Sequence, residues 1–100
     1  MAAYMILRST ISDPTAMSRY RDAVMPLIAR FGGRHIVRGA PIEVLEGRQE
    51  DRRLSIFEFP SLEAVHDFWN SPDYGPVKEL RRGAAEFDIW AVAGVSATPA

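Results

Sequence analysis

The chain has 100 residues, 47% of them hydrophobic, with 12 Lys and Arg against 13 Asp and Glu for a net charge of −1, and it contains no Cys. That length sets one domain with a modest core, and the near-neutral balance supplies no basic field for nucleic acid. Without cysteine there are no disulfides, thiolate metal sites or cysteine nucleophiles. The opening "MAAYMILRST" lacks a basic leader ahead of its apolar run, and no apolar stretch approaches the ~20 residues that span a bilayer. A soluble cytoplasmic protein with no membrane or nucleic-acid partner is expected. Eleven of the 12 cations are arginine, which suits planar carboxylate or phosphate recognition, although genomic composition bias gives the same excess.

In chain order, Ala2–Ile11 is rich in strand formers and predicts a first strand. Asp13 is a good N-cap and Pro14 a good first helical residue; Met17, Tyr20, Val24, Leu27, Ile28 and Phe31 then recur at helical spacing. Pro26 falls inside this helix and is expected to kink it near Asp22, and Gly32 and Gly33 supply its stop. Arg34–Arg38 reads as a second strand, and the alternating Ile42–Gly47 as a further short one. The charged "RQEDRR" (Arg48–Arg53) is a hairpin tip, and Leu54–Phe59 is the clearest strand. Ser61 caps a helix carrying Leu62, Val65, Phe68 and Trp69 on one face. "NSPDYGP" (Asn70–Pro76) breaks it, "VKELRR" forms a shorter helix, and Glu86–Gly94 is the last strand. Residues 1–94 thus make one domain, and 95–100 read as a mobile tail.

The order β-α-β-β-α-β is the ferredoxin-like arrangement: an α+β sandwich in which an antiparallel four-stranded sheet carries two main helices on one face. Large apolar residues occupy both sets of alternate strand positions, Ile6, Ile56 and Trp90 against Leu7, Phe57 and Ile89. A solvated face reads polar at nearly every second position, and two helices cover only one face. A second copy, packed sheet to sheet, is the simplest cover.

The segments "GGRHIVRGAPIEVLEG", "RRLSIFEFPSLEAVHDFWNSPDY" and "LRRGAAEFDIWAVAG" resemble the bacterial family called domain of unknown function 1330, over nearly the whole chain from Tyr4 to Gly94. The most specific pieces are the "VRG.P.EVLEG" hairpin and the "EFPS.E....FW.SP.Y" segment. The resemblance implies the dimeric α+β barrel superfamily, in which two ferredoxin-like units join their sheets. That superfamily includes cofactor-independent monooxygenases, haem proteins and small isomerase-like enzymes, while the family carries no established reaction. Fold analogy raises the expectation of a small-molecule site without fixing its chemistry.

The two histidines, His35 and His66, have no metal-ligand spacing, and no nucleotide-binding loop or nucleophile elbow is present, so no metal and no cofactor is expected. Haem would depend on His35 or His66 as a fortuitous axial ligand. Glu58 falls on the sheet face that meets the partner or a cavity: it either pairs with an arginine such as Arg8, Arg81 or Arg82, or has a raised pKa and serves as a base. His35 is the other candidate proton carrier. Trp69 and Tyr74 either wall a ligand cleft or simply pack. Arg81 and Arg82 either hold a substrate anion or make helix-end and surface contacts. His66 lies on the polar side of its helix.

Strict alternation puts Arg34 and Arg38 on one face of the second strand and His35 and Val37 on the other. Arg38, beside the "GAP" bend, is the candidate anion contact; its structural alternative is an ion pair across the dimer to Glu43 or Glu46. Two functions follow. One is an enzyme needing neither metal nor nucleotide, acting on a small organic molecule in a cleft between sheet and helices, with Glu58 or His35 moving protons and Arg38 or Arg81 holding an anionic group. The other is a non-catalytic homodimeric module that binds a metabolite or a protein.

Overall fold

Strand β1 (Ala3–Ile11) leads into α1 (Pro14–Arg30) through the cap expected from the sequence. The Asp13 carboxylate accepts hydrogen bonds from the amides of Thr15 and Ala16, each at 3.1 Å. The computed structural model describes residues 1–95; the expected tail lies outside them from position 96 onward. Helix α1 continues through Pro26 and ends in two reverse hydrogen bonds, Gly32 N–H to Ala29 O and Gly33 N–H to Ile28 O, both at 3.0 Å. Gly32 takes φ +83, the left-handed value this closure needs. At Gly33 a Cβ would stand 2.6 Å from the Ile28 side chain and 2.8 Å from the Phe59 ring, so the turn seats directly on the core.

The remaining elements are β2 (Arg34–Pro41), β3 (Arg53–Phe59), α2 (Leu62–Trp69), α3 (Tyr74–Glu79) and β4 (Ala85–Ala93). The strands form one antiparallel sheet in the order β2-β3-β1-β4, which is the ferredoxin-like topology. Met5, Leu7, Phe57 and Phe59 from the sheet meet Val24, Leu27 and Ile28 of α1 and Val65 and Phe68 of α2 in the core. The Ser61 hydroxyl caps α2 by accepting from the Ala64 amide at 3.0 Å. Among the described residues no helix is long and apolar enough to cross a membrane.

Three local expectations are corrected. Ile42–Gly47 is not a strand, despite its alternation. Its would-be partner β3 begins only at Arg53, opposite Pro41, so the chain beyond Pro41 runs past the end of the sheet with no ladder to join. Leu45 there is 97% exposed. The short third helix starts at Tyr74 rather than after Pro76. Pro76 then occupies the third helical position, where its missing N–H would have had no partner within the helix in any case.

The third correction concerns β2. His35 lies opposite Phe57, but Val37, two residues on, lies opposite Ile56, because the strand bulges between them. An extra residue in a bulge resets which side each later side chain takes. His35 therefore faces the helices while Val37 turns to the other face. Arg38 joins His35 on the helix side rather than Arg34 on the other.

Candidate active site

Between α1 and the helix-covered face of the sheet lies a cavity of about 560 Å³, within the ~300–1,000 Å³ typical of small-molecule sites. Its wall is largely apolar, built from Met5, Leu7, Val24, Met25, Phe57 and Ile89. Tyr20, Trp69 and Tyr74 close it from the helices, and His35 and Arg38 enter from β2. Arg21 of α1 and Arg53 of β3 complete the lining at the exposed rim. Of the sequence candidates, His35, Arg38, Trp69 and Tyr74 meet here. Glu58 and Arg81 do not.

His35 is half-buried, stacked on Phe57 with ring centroids 3.8 Å apart. Its Nδ1 is buried without a hydrogen-bond partner. Burial, aided by the positive charges of Arg38 and Arg21, lowers its pKa from the ordinary value, so the ring is neutral at pH 7. Tyr20 and Tyr74 share a buried hydroxyl–hydroxyl hydrogen bond of 3.0 Å. Burial and the neighbouring Tyr74 raise the Tyr20 pKa, so this phenol stays protonated. In such a pair one O–H donates to its neighbour, leaving the second hydroxyl's proton available for another acceptor.

Glu58 lies on the opposite face and pairs with Arg34, whose Nη2 and Nε donate to Oε1 at 2.8 and 3.1 Å. The expected partners Arg8, Arg81 and Arg82 are all engaged elsewhere. Arg8 donates to Glu50 at 3.2 Å and lies 4.7 Å from the Trp90 ring centroid. Arg82 pairs with Glu79 at 3.2 Å. Arg81 stacks over Phe87 at 4.7 Å and borders a second depression of about 400 Å³ with Trp69, Phe87 and Trp90. His66, expected at the surface, is exposed beside that depression. Among the described residues no three His, Asp or Glu gather as a metal site.

The model of the family described as domain of unknown function DUF1330 matches residues 2–95. The chain belongs to that family. No curated protein sequence matches it. Among solved structures it is similar to RPA0582, a protein of unknown function from Rhodopseudomonas palustris: TM-score 0.73 and 19% identity over 95% of this chain and 83% of that one. SnoaB, a cofactor-independent oxygenase from Streptomyces nogalater, matches at TM-score 0.69 and 15% identity, over 99% of this chain and 98% of its own. A dimeric protein of unknown function and ferredoxin-like fold from Bacteroides fragilis matches at 0.59 and 14%, over 93% and 96%. At these identities the likeness establishes fold.

Three lining residues of this DUF1330 chain escaped sequence reading: Tyr20, Arg21 and Arg53. Tyr20 reads as ordinary core by its spacing. Arg21 and Met25, four apart on α1, flank the core row of Tyr20, Val24 and Ile28, which is the signal that places them together at its border. In sequence Arg53 ends a charged loop tip, whereas in the fold it begins β3.

The depressed pKa of His35 is directly measurable. In an NMR titration its ring is expected to protonate below the reference value of 6.5, and Arg38→Gln to move the midpoint back towards that value. The sign for stability follows: above about 6.5 the ring is neutral folded or unfolded, and as pH falls from there through the folded midpoint the unfolded chain takes the proton first. Stability therefore drops with acid in that window. A midpoint at or above 6.5 would contradict the assignment.

Proposed function

We propose that this DUF1330 protein is a homodimeric enzyme that binds a small organic molecule in the cavity between α1 and the sheet and takes a proton from it with His35. The observation that carries this reading is the neutral, half-buried imidazole of His35, set in the largely apolar wall of a cavity of ligand size. A base of that kind is suited to abstracting a proton near neutral pH. Arg38, on the same face, serves as the contact for an anionic group, and Trp69 and Tyr74 as walls. The fold shared with SnoaB, described as a cofactor-independent oxygenase, supports catalysis over plain binding by analogy. Dimerisation is supported by the apolar outer sheet face and by the dimeric Bacteroides fragilis protein of like fold.

The methionines provide the test. Met5, Met17 and Met25 line the cavity, and Met1 lies outside it, 69% exposed. With carbon-13-labelled methyl groups, a library of small metabolites is expected to yield compounds that shift the first three and leave Met1 unmoved. His35→Gln is expected to keep those shifts and lose conversion of the bound compound. Binding with no conversion by the unaltered protein would support the non-catalytic module instead. A library in which nothing moves the cavity methyls would overturn both.

A further inference from the structure

Arg21, Arg38 and Arg53 reach the cavity rim from three different elements, α1, β2 and β3. Among the described residues none of the three makes an ion pair, although Arg8, Arg30, Arg34, Arg52 and Arg82 all do. Acids are not scarce in a chain with 13 of them, yet no Asp or Glu lines this cavity. Asp51 borders an adjoining depression with Arg21 and Arg53, outside the cavity proper. Three converging cations repel one another, and an anion placed among them removes that repulsion.

We infer that the ligand of this cavity is an organic carboxylate, its apolar body lying against Met5, Phe57 and Ile89 and its anionic end held by Arg21, Arg38 and Arg53. The inference rests on the cavity being the binding site, as proposed above, and adds the class of molecule. The arginine fork matches a planar carboxylate with two parallel hydrogen bonds. Phosphate sites commonly add a cradle of backbone N–H groups. Here the one rim glycine, Gly39, already commits its amide to the Ser55 hydroxyl at 2.9 Å.

The same cations act on His35, which ties the anion to the base. Arg38 on its own strand and Arg21 on α1 both disfavour its protonation. The other polar groups lining the cavity are Ser9 of β1, Arg53 and Ser55 of β3 and the Tyr20–Tyr74 pair, with no acid among them. A bound carboxylate offsets the positive field, so it raises the His35 midpoint, and by linkage protonated His35 binds the carboxylate more tightly.

Two matched pairs of probes decide the matter: 4-phenylbutyrate with 4-phenylbutyramide, and octanoate with octanamide, each titrated against the methyl signals of Met5, Met17 and Met25. The carboxylates are expected to bind roughly tenfold or more tighter than the amides, the scale of one charge-assisted hydrogen bond. They alone are expected to raise the His35 midpoint. Arg21→Gln combined with Arg38→Gln, both at exposed side chains, is expected to remove most of the difference between carboxylate and amide, with Arg53 holding the remainder. Equal binding of acid and amide would overturn the carboxylate assignment and leave the cavity reading standing. Failure of all four probes to move the cavity methyls would remove both.

Discussion

Replacing Phe68 with alanine is expected to lower folding stability by about 3–5 kcal/mol, the range for deleting a buried phenyl ring. The side chain is 0% exposed and centres an aromatic cluster that no single element supplies. Its ring lies 4.6 Å from that of Tyr74 on α3, 5.9 Å from Phe59 on β3 and 6.2 Å from Phe31 at the end of α1. Alanine leaves a void that four segments cannot all close upon, so the cost includes lost contacts as well as lost transfer energy. Domains are stable by only ~5–15 kcal/mol, so this one substitution removes a large share. At roughly 1–3 kcal/mol per molar, the urea midpoint falls by about 1 M or more with the slope unchanged, compared at one protein concentration. Phe68→Leu, which leaves a smaller void, falls less. An alanine variant within 1 kcal/mol of the parent would mean that the cluster is not the keystone of the helix layer. The same variant is expected to loosen Tyr74, whose ring packs on Phe68, and with it the Tyr20–Tyr74 hydrogen bond at the cavity.

The parts of this fold that were legible in sequence are those governed by neighbours in the chain. Asp13 and Pro14 at a helix start, Ser61 at another, and Gly32–Gly33 at a helix end each do locally what their chemistry dictates. The β-α-β-β-α-β order followed from hydrophobic period, and so did the division of Ile6, Ile56 and Trp90 from Leu7, Phe57 and Ile89 between the two faces of the sheet. What was not legible depends on partners distant in sequence. Ile42–Gly47 has the pattern of a strand and lacks a strand to pair with. The bulge after His35 is a property of the β2–β3 ladder, and alternation alone cannot reveal it.

For the candidate site that bulge is decisive. Counting by twos puts His35 and Arg38 on opposite faces, and the reset puts them side by side in one cavity. Glu58, an acid on a mostly apolar strand, reads in sequence as either a base or half of an ion pair; cross-strand register makes it the ion pair, with Arg34. Arg21 and Arg53 each look like surface charge in their own segment. Only the fold brings them to a common rim, where the absence of any acid gives them meaning.

The outer face leads to the second large effect: Ile56→Asp is expected to turn a dimer into a monomer. One residue from each strand forms a continuous row across that face, Val37, Ile56, Ile6 and Trp90, in register. Trp90 is 41% exposed in the single chain, and its neighbour in the adjacent row, Val92, is 42% exposed. Charged groups flank the row. Arg34–Glu58 lies to one side, and on the other Arg52 bridges Glu50 and Asp88 while Arg8 also reaches Glu50. An apolar centre with paired charges around it is the anatomy of a protein interface. Ile56 sits mid-row and is only half-buried in one chain, so aspartate there stays partly hydrated in a monomer. Between two packed sheets the same carboxylate loses water without gaining a partner, at a cost of several kcal/mol, and each ~1.4 kcal/mol is a tenfold loss of affinity. Sedimentation or light scattering is expected to give near twice 11.2 kDa for the parent and 11.2 kDa for the variant, with unchanged circular dichroism. A monomeric parent, or a variant that still dimerises, would show that the two sheets do not meet on this row. The cavity lies on the other side of the sheet from this row, so the monomeric variant is expected to keep the response of Met5, Met17 and Met25 to probes. Loss of that response would mean that the partner holds the sheet in the shape the cavity needs.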